Sequence, residues 1–333
     1  MVNSFLTLSI RCLTVAVACC GSAVAGATDV PWTTGTVIRF AEVRDGVEAL
    51  TQRDDYIKQM SPFDRQVRLK TDREVTEQEL LTFFSRHVLP WNADEIAKLT
   101  PLVKALGRKL APWKLPLPPV ILLVKTSGHE EGGAPYCRGA AIVLPQPMID
   151  GNLKTLNNIL PHELFHVLSS HNPRLREALY QIIGFNPCNE VFLPEPLAAR
   201  KITNPDAPVN RHFITVTQDG RSLELMPVLF SKTPRYDTTR GGNLFTYLEF
   251  KLMALENNHG VRRAAIVAGQ PVLLDPAGVP GYGEQIGRNT KYIIHPEEIL
   301  ADNFVFLIEG RIDLPSPRVI EALGQVLQAA TPN

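Results

Sequence analysis

A chain of 333 residues, 44% of them apolar, is long enough to fill a packed core as one large domain or two small ones. Its 34 basic and 34 acidic residues cancel, so no global field draws it onto nucleic acid or an anionic membrane. The 27 prolines are spread along the sequence, which points to many loops and short elements rather than to a disordered tail.

Residues 1–25 read as a signal peptide: Arg11 precedes the small, apolar run Cys12 to Cys20, and Ala23-Val24-Ala25 supplies a cleavage site. The run is too short to span a bilayer, so export to the periplasm or the medium is expected, with no transmembrane segment in the mature chain. Cys19 and Cys20 raise lipid attachment, but Ala16-Val17-Ala18 is a poor approach to a lipidated cysteine, and the unanchored form is preferred. Cleavage leaves Cys137 and Cys188, which an oxidising compartment is expected to pair as a disulfide.

Residues 26–115 form a largely helical N-terminal region. Asp29 to Arg73 reads as irregular, with Val37-Ile38-Arg39-Phe40 as a short strand. Thr76 with Glu79, and Asn92 with Glu95, are capping boxes ahead of apolar periodicity and predict two helices. Four prolines between Pro112 and Pro119 make a stiff connector, which sets a domain boundary before residue 116. Beyond it, Val120 to Val124 and Gly139 to Leu144 read as a strand pair. Leu153, Leu156, Leu160, Leu164 and Val167 recur at helical spacing through Asn152 to Ser170, with Pro161 inside. Pro173 opens a helix that Gly184 ends. Asp219-Gly220 joins two strands, Gly242 to Asn257 is ambiguous, and Pro296 opens a helix to about Glu309. The fold class is α+β.

The sharpest signal is His162-Glu163-Leu164-Phe165-His166. Histidines four apart share one helix face and can reach one zinc ion, while Glu163 points at the water such an ion polarises. Lowering the pKa of that water and taking its proton on a carboxylate is the chemistry of amide hydrolysis. The competing reading is a pair of buried histidines bonded to the backbone.

A catalytic zinc keeps three protein ligands and an open position. Glu298 and Asp302 lie one turn apart on the helix opened by Pro296, so Glu298 can bind the metal while Asp302 accepts a hydrogen bond from a ligating histidine. Glu177, one turn into the helix opened by Pro173, is the rival third ligand. Tyr292, Tyr282 and His295 precede the Glu298 helix and are candidates to stabilise an oxyanion. His171 reads as a helix-end residue, and His129-Glu130-Glu131-Gly132-Gly133 as a solvated loop.

The motif His162-Glu163-x-x-His166 followed by Glu298-x-x-x-Asp302 resembles the zinc signature of gluzincin metallopeptidases, the thermolysin-like and membrane CaaX-processing groups among them. The resemblance rests on five positions, and the gap from His166 to Glu298 is far longer than is usual. It implies a zincin-like catalytic domain over residues 116–333, one Zn2+ per chain, Glu298 as third ligand with Asp302 supporting the ligands, and a peptide or protein substrate. Glu163 is then the general base. The alternative from another class is an inactive zinc-binding envelope protein that binds a partner.

Overall fold

Thr28–Thr33 (β1) and Thr36–Phe40 (β2) pair antiparallel, and the alternate residues Ile38 and Phe40 are buried as a half-covered strand requires. The structure, a computed structural model, describes residues 26–33, 35–218 and 220–330; residues 1–25, read above as a signal peptide, and Asp219 lie outside them. Three short helices follow: Val43–Thr51 (α1), Asp55–Gln59 (α2) and Pro62–Leu69 (α3). The expectation of an irregular stretch is therefore corrected. These helices are too short to show a long apolar period, but two carry local start signals: Asp54 caps α2, and Ser61 caps α3 with Pro62 in its first turn. Both expected capping boxes form, at the starts of Glu77–His87 (α4) and Ala93–Leu110 (α5), with the two-residue strand Val88–Leu89 (β3) between them.

Val120–Thr126 (β4), Tyr136–Arg138 (β5) and Ala141–Pro145 (β6) complete a sheet of order β1-β2-β4-β6-β5, with β3 also on β4. β2 runs parallel to β4, with Val37 opposite Val120 and Phe40 opposite Leu123. Residue 115 is thus no boundary of the fold, because the first 115 residues supply three strands of this sheet. β5 is antiparallel to β6 and forms the edge. Gln146–Asp150 (α6) leads into Leu153–His171 (α7), then Pro173–Ile182 (α8) and Phe185–Pro187 (β7). Leu160, Leu164, Phe165 and Leu168 on α7 join the main core with Ile142 and Leu144 of β6. Burying each such side chain stabilises the fold by roughly 1.5–3 kcal/mol.

His212–Gln218 (β8) and Arg221–Ser231 (β9) form the expected hairpin. The ambiguous segment is one helical turn, Leu244–Tyr247 (α9), running into the strand Leu248–Asn258 (β10). Val261–Ala264 (β11), Ile266–Val267 (β12), Gln270–Pro271 (β13) and Leu273–Leu274 (β14) follow. The second sheet has the order β11-β10-β9-β8-β7, with β14 on β10. Pro280–Ile286 (α10), Pro296–Ile308 (α11) and Pro317–Ala329 (α12) close the chain. α12 was not anticipated, although Pro317 opens it and Val319, Leu323 and Leu327 are buried at four-residue steps. The architecture is α+β, and among the described residues no helix is long and apolar enough to cross a membrane.

Candidate metal centre

α7 and α11 lie against one another, with Phe165 and Phe304 in ring contact at 5.7 Å between centroids. On this shared face α7 presents His162, Glu163 and His166, and α11 presents Glu297, Glu298 and Asp302. The start of α11 is set by Pro296 in its first turn and by His295, whose Nδ1 accepts from the Glu297 amide at 3.1 Å. That start places the acidic residues opposite the histidines.

Each histidine is gripped at Nδ1 by its own carboxylate. His162 Nδ1 stands 3.0 Å from Asp302 Oδ1, and Asp302 Oδ2 accepts from the Thr290 hydroxyl. His166 Nδ1 stands 3.0 Å from Glu297 Oε1, while Glu297 Oε2 accepts from Ser169 Oγ at 2.8 Å and from the Tyr180 hydroxyl. The two Nε2 atoms are thereby turned to one point: Glu298 Oε2 is 3.2 Å from that of His162 and 3.6 Å from that of His166. Around a tetrahedral ion with bonds of about 2.0–2.2 Å, ligand atoms stand about 3.3–3.6 Å apart, and the separations of Glu298 Oε2 from the two Nε2 atoms are close to that spacing. Ligand atoms of His162, Glu163 and His166 also lie within 4.8 Å of one another.

The electrostatics favour a cation. Glu163, Asp206, Glu297, Glu298 and Asp302 converge on two imidazoles, and burial makes uncompensated negative charge costly. Burial by itself would lower the His162 pKa, but hydrogen bonds to Asp302 and Glu298 override it and lift it to about 10. His166 is likewise raised, against the effect of burial, by Asp206, Glu298 and Glu297. Glu298 is held well below the usual carboxylate range, since His166 and His162 outweigh its desolvation. Burial raises Glu163, partly opposed by the two histidines. Without a metal, protons on the imidazoles take the cation's part.

Several expectations need correction. Glu177 is not at the centre: both its oxygens lie 3.0 Å from His212 Nε2. Tyr282 commits its hydroxyl to the Ile293 carbonyl at 2.8 Å. His295 is used as a helix cap, its ring lies beside Tyr180, and burial pushes its pKa down to about 3. Tyr292 alone of these candidates faces the centre, half-exposed, with its ring 6.4 Å from that of His162. Cys137 and Cys188 are unbridged: Cys137 is buried with its thiol 3.1 Å from the Glu163 carbonyl and 3.4 Å from Glu163 Oε2, whereas Cys188 packs in the cluster around Val191 and Phe230. The His129 loop is solvated only in part: His129 and Gly133 are exposed, but Glu130 and Glu131 are buried and Glu131 pairs with Arg68 at 2.8 Å.

Three residues of the centre were missed. Glu297 could have been suspected from its place beside Glu298 in the first turn of a helix that begins with proline. Asn204, whose Nδ2 donates to Glu298 Oε1 at 2.6 Å, and Asp206, with an oxygen within 4.8 Å of ligand atoms of His166 and Glu298, sit in a loop with no periodicity to reveal them. Burial raises Asp206 well above the usual carboxylate range, with His166 opposing and Glu163 reinforcing the shift. Beside the centre lies a small cavity of about 60 Å³ whose walls include Pro135, Ile202, Leu229, Phe245 and Tyr292. Comparison of the chain with protein-family models, with curated proteins and with solved structures finds no match.

Proposed function

We propose that the chain is an exported zinc-dependent peptidase with a zincin-like active site of the gluzincin type. The observation that carries this reading is the convergence of two Nε2 atoms on Glu298 Oε2, at 3.2 and 3.6 Å, with a carboxylate that is not needed as a ligand standing between the histidines in sequence. His162, His166 and Glu298 would hold the ion, Asp302 and Glu297 orient the imidazoles, and Glu163 is the base. A zinc ion in such a site supplies Lewis acidity, lowering the pKa of water and polarising a carbonyl.

Glu163 takes the proton of the attacking water and returns it to the departing amine, so no net proton change is left on the enzyme. Its burial, 2% exposed, keeps bulk water from competing for that proton. The edge strand β5, beside α7, is suited to hold an extended peptide by strand addition, and the apolar cavity beside the centre offers space to a side chain of that peptide. Tyr292, with its ring 6.4 Å from that of His162, would steady the oxyanion formed on attack.

Glu163→Gln tests the reading, because the amide keeps the shape but cannot accept the proton. Zinc content is expected to be unchanged, with hydrolysis of a broad peptide library nearly abolished. Wild-type turnover in this variant contradicts the role of Glu163. A wild-type chain that binds zinc and cleaves nothing in the library favours the partner-binding alternative.

A further inference from the structure

Asp206 is a candidate ligand that no helix carries. It lies in the segment 203–209, which is pinned at both ends. The Thr203 amide donates to Asp64 Oδ2 at 3.0 Å, Thr203 Oγ1 donates to the Gln59 carbonyl at 3.0 Å, and Lys201 Nζ reaches the Pro208 carbonyl at 2.7 Å. Between these anchors the segment dips into the centre. Asn204 Nδ2 bonds Glu298 Oε1 at 2.6 Å, and Asn204 Oδ1 accepts from the Asp206 amide at 3.0 Å.

Two placements define Asp206. Its Oδ1 accepts from the backbone N–H of Cys137 at 2.8 Å, and Cys137 is the middle residue of the edge strand β5. A carboxylate oxygen of Asp206 lies within 4.8 Å of ligand atoms of His166 and Glu298, and in a separate grouping one lies within 4.8 Å of ligand atoms of Cys137 and Glu163. A peptide added to this edge would need the Cys137 N–H for a carbonyl, and its scissile bond would need the metal-facing side. Asp206 stands where both would go.

We infer that Asp206 is a fourth, displaceable ligand of the ion held by His162, His166 and Glu298, and that the segment 203–209 closes the centre in the resting chain. This rests on the zinc reading above. Four protein ligands saturate a tetrahedral ion, so a substrate gains the open position and the edge N–H together when Asp206 leaves. The anchors at Thr203 and Pro208 confine that movement to the few residues between them.

The test uses the mature chain loaded with Co2+, comparing wild type with Asp206→Asn and Asp206→Ala, and with acetohydroxamate as the probe. The asparagine retains an acceptor for the Cys137 N–H but not the anionic ligand, so it separates ligation from capping and protects against a folding defect in the alanine variant. Both variants are expected to take up about one metal per chain, with altered visible Co2+ absorption. They should release it to a chelator about 10- to 100-fold faster than wild type. Acetohydroxamate should bind them about 10-fold or more tightly, since no internal ligand competes. Wild-type absorption, release and probe affinity in both variants overturn the inference and leave the zinc reading standing. If neither wild type nor variants take up Co2+ or Zn2+, both fall.

Discussion

Two buried charged clusters in this molecule solve the same problem in opposite ways. In the first, Arg68 is enclosed by Asp64 and Glu131, with ion-pair distances of 2.8 Å to each and a further hydrogen bond donated to the Tyr56 hydroxyl at 2.9 Å. One guanidinium pairs with two carboxylates, and the cation is part of the chain. In the second, between α7 and α11, the carboxylates of Glu163, Glu297, Glu298 and Asp302 face imidazoles whose charge depends on protonation. Fixed internal charge makes the first a structural joint. In the reading proposed above, the second takes its cation from outside, and its chemistry would follow from that.

The largest effect that sharpens this contrast is expected at Arg68. Arg68→Met leaves two buried carboxylates without their cation and should cost about 3–5 kcal/mol in urea unfolding. Because that cation is internal, the loss should be the same with zinc in excess and with a chelator. A loss that disappears on adding zinc would show the two clusters to be one linked system.

Next in size is Glu297, which holds His166 and accepts from Ser169 and Tyr180. Glu297→Gln should weaken zinc binding about 10- to 100-fold, as loss of a ligand's supporting partner generally does. Isothermal titration with zinc measures it, and unchanged affinity would make Glu297 a structural residue only.

The smallest effect concerns His295, the neutral cap of α11. Its pKa is depressed to about 3 by burial, so its contribution is present above the unfolded value near 6.5 and is lost as pH falls toward 3. Between pH 6.5 and 5 the wild type should lose stability on the order of 1 kcal/mol through this group. His295→Asn keeps a good cap and should remove that share of the pH dependence. Parallel stability curves for the two chains would contradict the assignment.

What the sequence disclosed depended on how local the determining contacts are. His162, Glu163, His166, Glu298 and Asp302 were legible because a four-residue step on a helix fixes which side chains share a face, and Pro296 marks where α11 begins. The capping boxes at Thr76 and Asn92 were legible for the same reason. The pairing of β2 with β4 joins Val37 to Val120 across a long separation, and a short strand carries no sign of its distant neighbour. Asp206 reaches the centre only because residues 203–209 are tied to α2 and α3, which no local pattern records. The disulfide expectation failed for a related reason: composition raised the pair Cys137 and Cys188, but geometry decides, and Cys137 faces Glu163 instead.

The central claim is that His162, His166 and Glu298, and not Glu177, hold one zinc ion. Elemental analysis of the purified mature chain beside Glu298→Ala and Glu177→Ala tests it most directly. The expected result is about one zinc in the wild type and in Glu177→Ala, and almost none in Glu298→Ala. A wild type free of zinc after refolding with the metal, or a Glu298→Ala chain that carries it in full while Glu177→Ala does not, would contradict the account.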